Sequence, residues 1–242
     1  VITAYSFLVP ALILVTLFIV LPVILAFTYG FTDFYLLKPH AKQFIGLENF
    51  KRMISDEILK KSFFNTLEFV LLVVPLQLSM ALGLALIANK KIAGIGFLRA
   101  SYFSPAVLSL VVISILWTVM LDPNGGLINT MLAKFGFNPQ PFLSSSKQAM
   151  PTIVFLSAWS GCGYQMMIFL AGLKNIDSQL YEAATIDGAN SFDKFWHITL
   201  PSLKPIVMFL VITTTIQAFK LIVQPMVMTG GGPDNSTMTV LQ

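Results

Sequence analysis

Long apolar stretches alternate with short polar ones along this 242-residue chain. Five stretches approach or exceed the ~20 residues that a helix needs to cross a ~30 Å hydrocarbon core. They run from about Tyr5 to Phe31, Phe69 to Ala88, Tyr102 to Leu121, Met150 to Leu173 and Pro205 to Met228, the last interrupted by Lys220. Strict period-2 alternation is absent, which disfavours a barrel and leaves helices to satisfy the backbone in lipid. The pattern predicts an all-α, polytopic membrane protein. Pro10, Pro22, Pro75, Pro105 and Pro225 fall inside these stretches, and each removes a backbone hydrogen bond and can kink its helix. Membrane helices tolerate such residues, while several together also fit helices bent around a pathway.

The polar connections carry their own patterns. Between Asp33 and Asn65 lie six of the fifteen Lys and Arg residues. Phe50, Met53, Ile54 and Ile58 follow helical spacing there and predict a short amphipathic helix on the membrane surface. Asn89–Arg99 is a short basic turn with Lys90, Lys91 and Arg99, and Asp122–Ala149 is a Gly/Pro/Ser-rich loop. After Met228 the chain enters a Gly-Gly-Gly-Pro turn. The start at Val1 rather than Met leads us to expect a preceding N-terminal piece.

Composition sharpens this picture. Hydrophobic residues make up 56% of the chain and charged ones 11%, against about 25% charged in a soluble domain. Too little polar side chain is present to cover a water-soluble fold, and too much apolar side chain for a disordered one. The net charge of +4 is spread thinly, without the basic run that tracks a nucleic-acid backbone. Cys162, the single cysteine, reads as a packing residue, and His40 and His197 as solvated or interfacial with no metal-ligand pattern around them. No G-x-x-x-x-G-K-[ST] loop is present for ATP, and neither H-E-x-x-H nor G-x-S-x-G for hydrolysis. An enzyme is therefore not expected.

The connection from Lys174 to Lys204 is the most patterned. Asp177 or Ser178 can cap a short helix over Gln179–Ile186. Gly188 stands where a helix end favours positive φ, and Ser191 can cap a second helix that Pro201 ends. Leu180, Phe192, Phe195 and Trp196 sit uneasily in water, and Ala183 and Ala184 let a partner backbone come close. Two readings fit: a protruding bracket that docks a partner, or a hairpin resting on the headgroups.

Within this connection Glu182-Ala183-Ala184, then Gly188, Ile198 and Leu200-Pro201 match at every defined position the EAA signature of ABC importer permeases. Phe44-Ile45-Gly46-Leu47-Glu48-Asn49-Phe50 with Asn65-Thr66, Leu98-Arg99 with Pro105, Gly126-Leu127-Ile128-Asn129, and Thr229-Gly230-Gly231-Gly232-Pro233 resemble carbohydrate-type members, the maltose and glycerol-3-phosphate permeases. The first and last look like the first permease of a heterodimeric pair. The resemblance covers nearly the whole chain and implies one permease domain, residues 1–242, of the type I ABC importer transmembrane-domain fold. Five of its helices are visible, and a sixth is expected beyond the C-terminus. It makes 174–204 the cytoplasmic coupling loop, with Glu182 as the charged contact to an ATPase and Gly188 as its elbow. Lys/Arg density scarcely separates the two sides of the membrane; the resemblance places 174–204 and Asn89–Arg99 in the cytoplasm and the other connections outside.

A hydrophilic solute needs polar groups facing inward from apolar helices. Ser157, Ser160, Gly161 and Tyr164 fall on one face of the fourth stretch, with Trp159 and Gln165 nearby. Thr214, Gln217, Lys220 or Leu221, and Gln224 form a second stripe on the fifth. Aromatic rings suit the flat apolar faces of pyranoses, and in the resembled family these two helices contribute to the sugar site. Small polar faces are also common helix–helix contacts, which applies most to Ser160 and Gly161. Lys220 would cost about 2.5–3.5 kcal/mol at the bilayer centre. It must line a wet cavity, where it would point to an acidic substrate, or snorkel outward.

The resemblance thus implies a multi-pass permease in the bacterial inner membrane, importing a sugar or sugar-like solute. Its expected partners are a second permease, two ATP-binding subunits that hold ATP and Mg, and a solute-binding protein. No cofactor is expected on this chain. A secondary transporter or channel without ATPase partners is the alternative, which an inverted repeat would favour and for which no convincing repeat is found. A non-conducting scaffold is disfavoured by the two polar stripes.

Overall fold

The computed structural model describes residues 2–35, 43–90 and 94–242, with side chains from Phe7 onward. His40 and Lys91 lie outside the described residues. Helices dominate, and the only strand-like pairing among the described residues is an isolated antiparallel bridge between Thr32 and Phe44. The chain divides into two compact units, Val1–Lys60 and Lys61–Gln242.

In the first unit, α1 (Ile2–Val15) continues through a widened turn at Thr16–Val20 into α2 (Leu21–Tyr29). The Leu21 N–H donates to the Thr16 carbonyl, an i→i−5 bond, just before Pro22 interrupts the regular ladder. Phe7–Gly30 is apolar and long enough to cross a membrane, with its side chains exposed. The chain then folds back on itself. Asp33 N–H donates to Gln43 O, Ile45 N–H to Phe31 O, and the Asn49 amide to the carbonyls of Gly30 and Thr32. Phe50, Met53 and Ile54 lie on α3 (Glu48–Ser55), but Ile58 does not. Asp56 is extended, and its carboxylate accepts from the Ile58 and Leu59 N–H groups, so it caps the next helix and divides the single surface helix predicted from spacing.

That next helix, α4 (Glu57–Ala88), has 32 residues and is about 48 Å long. Within the second unit it packs with α8 (Ala149–Lys174), the most enclosed helix, whose apolar window is 67% buried. Phe69, Val73 and Ala81 of α4, Ile153, Met166 and Phe169 of α8, and Leu203 and Leu210 of α11 (Leu200–Phe219) make the core. Glycine lets α8 come this close. A Cβ on Gly163 would lie 2.0 Å from the Tyr102 carbonyl oxygen of α5 (Ile95–Val107), and one on Gly172 would lie 2.1 Å from Ile206 of α11.

Two predicted spans need correction. The stretch Tyr102–Leu121 is not straight, because α5 and α6 (Leu110–Met120) meet at 101°. Leu108 and Ser109 are extended between them, three and four residues after Pro105. The last span begins earlier than Pro205: Ser191–Phe219 forms one run of 29 residues through a widened turn at Phe195–Thr199. Pro201 therefore does not end a helix: it stands in the first turn of α11, directly after the widened turn and inside the continuous run. The run stops at Phe219, the chain breaks at Lys220–Ile222, and a short α12 (Val223–Met228) follows. Between these elements, α7 (Leu127–Lys134) lies in the Gly/Pro-rich loop.

The contact at Gly163 is against backbone, which cannot swing away. Gly163→Val is expected to destabilise the purified protein by about 1–3 kcal/mol through overpacking. Thermal unfolding in detergent measures this, and an unchanged midpoint would refute the close approach of α5 and α8.

Candidate functional site

Three helices are tied together by a chain of side-chain hydrogen bonds. Gln77 of α4 donates through Nε2 to Gln165 Oε1 of α8 at 2.8 Å, and Gln165 Nε2 donates to Thr214 Oγ1 of α11 at 3.2 Å. All three residues are buried. Gly161 makes room for the first bond, since a Cβ there would stand 2.3 Å from Gln77 Nε2.

Beside this relay lies a cavity of about 190 Å³. Ser157, Ser160 and Gly161 line it from α8, Thr214 and Gln217 from α11, Lys220 from the break that follows and Gln224 from α12. The two polar stripes read from sequence therefore meet around one space. Tyr164 is not among its lining residues. It is 53% exposed and lies about 10 Å further along α8 than Ser157, past the end of the cavity. Trp159 also stays outside, edge-on to Trp117 at 5.6 Å, so among the described residues Phe69 is the aromatic that lines the cavity. Spacing had not singled out Gln77. Its signal is a lone carboxamide between Leu76 and Leu78 in an apolar run.

An interrupted helix at membrane depth needs its backbone groups satisfied by protein, and a polar knot does this here. The Thr239 hydroxyl donates to Leu221 O at 2.9 Å. The Asn65 amide donates to Asn235 O and Met238 O, Val240 N–H donates to Thr66 Oγ1, and Lys61 reaches Asp234 O. Ser146 Oγ donates to Asp234 Oδ2 at 2.9 Å. Gly230, Gly231 and Gly232 all take positive φ, so the turn before the knot depends on glycine.

At the opposite ends of α8 and α11 stands the bracket. Asp177 caps α9 (Ser178–Ile186), accepting from Gln179 N–H. The second arm is capped by Asn190 and not by Ser191, in a reciprocal box with Asp193 at the start of α10 (Ser191–Lys194). Gly188 has φ +81°, with Gly188 N–H on Thr185 O and Ala189 N–H on Ala184 O, a Schellman end to α9. Tyr181 and Thr199 share a 2.8 Å hydroxyl contact, and Lys194 Nζ donates to Thr185 Oγ1. Glu182, Ala183, Gly188 and Pro201 are exposed, and Ala184, Ile198 and Leu200 partly so. Ile186 is 86% and Phe192 69% exposed, large apolar side chains left outside the core by a loop that its caps brace.

This is a multi-span helical membrane subunit with a polar cavity at one side and a self-braced bracket at the other. Residues 77–242 match the family described as "Binding-protein-dependent transport system inner membrane component". The chain is 35% identical over 98% of its length, and 80% of the relative's, to the trehalose/maltose transport system permease protein MalF of Thermococcus litoralis. It is 33% identical over 98% of its length, and 70% of the relative's, to the diacetylchitobiose uptake system permease protein NgcF of Streptomyces coelicolor. A crystal structure of a bacterial alginate ABC transporter, in complex with alginate pentasaccharide-bound periplasmic protein, shares the fold. Its TM-score is 0.80 at 23% identity, covering 99% of this chain and 80% of that one. The chain belongs to this family of inner-membrane transport components, with the transmembrane fold of ABC importers.

Replacing Gln165 by Leu leaves Gln77 and Thr214 without their shared partner. A loss of about 1–3 kcal/mol is expected for two interhelical bonds, read as a lower unfolding midpoint in detergent. An unaltered midpoint would show that the relay is not a tie between helices.

Proposed function

We propose that this chain is the membrane-spanning permease of an ATP-driven saccharide importer, paired with a second permease and two ATP-binding subunits. The observation that carries the proposal is the bracket: a loop, capped at both arms, that leaves Ile186, Phe192 and Trp196 exposed. Such a surface fits a groove on a soluble partner better than a lipid headgroup layer, because its caps and cross-ties fix its shape without a membrane. The motif at Glu182–Pro201 supports an ATPase as that partner. ATP and Mg would then be held by the partner subunits, and hydrolysis would take place there. Family membership favours a binding-protein-dependent mechanism over a secondary transporter or channel.

The relatives' names give trehalose/maltose and diacetylchitobiose as solutes, which supports a saccharide here. In the proposed cycle a solute-binding protein delivers the sugar on the side of the knot. Ser157, Ser160, Thr214 and Gln217 hydrogen-bond its hydroxyls, Gly161 lets it approach the α8 backbone, and Lys220 contacts it at the break. Tyr164, exposed deeper along α8, meets the solute on its way toward the cytoplasm. Closure of the ATPases moves Glu182, Ala183, Ala184 and Gly188. Ile198, Leu200 and Pro201 lead that movement into α11, a single helix from the bracket to the cavity.

Co-purification with a second permease and an ATPase, and ATPase stimulation by saccharide-loaded binding protein, test the proposal. Gly188→Val strains a backbone at φ +81° by about 1–2 kcal/mol. Solute-stimulated ATP hydrolysis should then uncouple from uptake while membrane insertion stays intact. Glu182→Lys should weaken ATPase retention during purification. A Gly188→Val transporter that couples normally would remove the bracket from the mechanism.

A further inference from the structure

The relay of Gln77, Gln165 and Thr214 has two ends, and both reach the cavity. Phe69, Val73 and Gln77 line that space from α4, and Thr214 lines it from α11. Gln165, the middle member, is 3% exposed and is not among the lining residues. The chain of bonds therefore runs behind the wall and comes out at either end.

Each end has hydrogen-bonding capacity left over. Gln77 spends one Nε2 proton on Gln165 Oε1, and its own Oε1 accepts nothing among the described residues. The side-chain atoms there that are both fully buried and unpaired are Arg99 Nε, Ser157 Oγ and Ser236 Oγ. Gln77 Oε1 is not one of them, so it keeps an open side, and the space that Gln77 borders is the cavity. Its carboxamide is also held in place. A Cβ on Gly161 would stand 2.3 Å from Gln77 Nε2 and 3.3 Å from Oε1, so the group lies over bare α8 backbone at a glycine that itself lines the cavity. At the other end, Thr214 Oγ1 accepts from Gln165 Nε2, and its own proton has no acceptor among the described residues. Thr213 beside it donates to Phe209 O, as helical hydroxyls commonly do.

We infer that Gln77 and Thr214 are a selecting pair for two hydroxyl groups of one saccharide. Gln77 Oε1 accepts from one hydroxyl, Thr214 donates to the oxygen of another, and Gln165 is the positioning residue behind them. This rests on the proposed function and deepens it, because it brings α4 into the solute site. A carboxamide with one proton already committed holds its oxygen in a set direction, and bonds in a chain polarise one another. A solute lacking either hydroxyl leaves a polar group of the wall unpaired, which is how such sites discriminate.

The test uses the complete transporter in proteoliposomes with its solute-binding protein. A panel of mono-, di- and trisaccharides that includes trehalose, maltose and diacetylchitobiose gives a transported solute. Its single-position deoxyfluoro and deoxy analogues are then compared with it. Fluorine cannot donate, so the deoxyfluoro analogue at the hydroxyl that meets Gln77 should be taken up about threefold to tenfold less well. Gln77→Met should bring that ratio to about one, and Thr214→Val should do the same for the deoxy analogue at a second position. Gln165→Leu should flatten both ratios without touching the solute. One binding protein serves every variant, so its own selection cancels between variant and wild type. A change that only loosens the helices lowers uptake of sugar and analogue alike and leaves the ratios standing. Ratios kept in Gln77→Met would overturn the inference and reduce the relay to a tie between helices, with the importer reading intact. Should Gln77→Met fail to assemble, Thr214→Val, which leaves the Gln77–Gln165 bond in place, decides in the same way on the deoxy ratio. Wild-type uptake indifferent to every single-position analogue would also overturn it. No uptake of any saccharide would remove both readings.

Discussion

The chain of hydrogen bonds from Gln77 through Gln165 to Thr214 is the constraint on which the rest of the second unit depends. In an apolar surrounding a carboxamide without partners is costly, so these three side chains hold α4, α8 and α11 in one register. Hydrophobic contact alone is poor at this in lipid, where sliding one apolar helix along another changes little. The relay also orients the cavity. With Gln77 pinned across the bare backbone at Gly161, the polar faces of α8 and α11 turn toward the same space.

The break at Lys220–Ile222 follows from the same rule. Backbone freed by ending a helix inside a membrane protein must be satisfied by the protein or by a wet cavity. Both are present: Thr239 takes the Leu221 carbonyl on one side, and the cavity opens on the other. The knot that supplies Thr239 is in turn anchored to the first turns of α4 by Asn65 and Thr66. Irregular backbone here is supported from two elements rather than left to loop flexibility.

One helix joins the two working ends. α11 leaves the bracket just after Thr199, which is tied to Tyr181, and ends at Lys220 on the cavity. Proline in its first turn and the widened turn before it loosen the helix at the bracket, while Leu203 and Leu210 bury it against the core.

Hydropathy and punctuation alone determined much of this protein: an all-helical membrane chain, a helix cap at Asp177 or Ser178, which the structure gives to Asp177, and a left-handed residue at Gly188. These are local matters of side-chain apolarity and backbone preference over a few residues, which a sequence states directly. The EAA motif added the family, because seven residues at set spacings are rarely met by chance. Periodicity also put Ser157, Ser160 and Gly161 on one face, and Thr214 and Gln217 on another. Only the tertiary structure decided that these faces share a cavity, that Gln77 reaches across from a third helix, and that Tyr164 lies beyond its end. It also decided where helices stop: Pro105 and Pro201 look alike as helix breakers, yet the first precedes a 101° bend and the second stands inside a continuous run. The reason is physical. Helix ends at membrane depth, and the depth at which a face opens, are set by which distant groups satisfy the backbone and how closely neighbours pack, and neither is a property of local sequence.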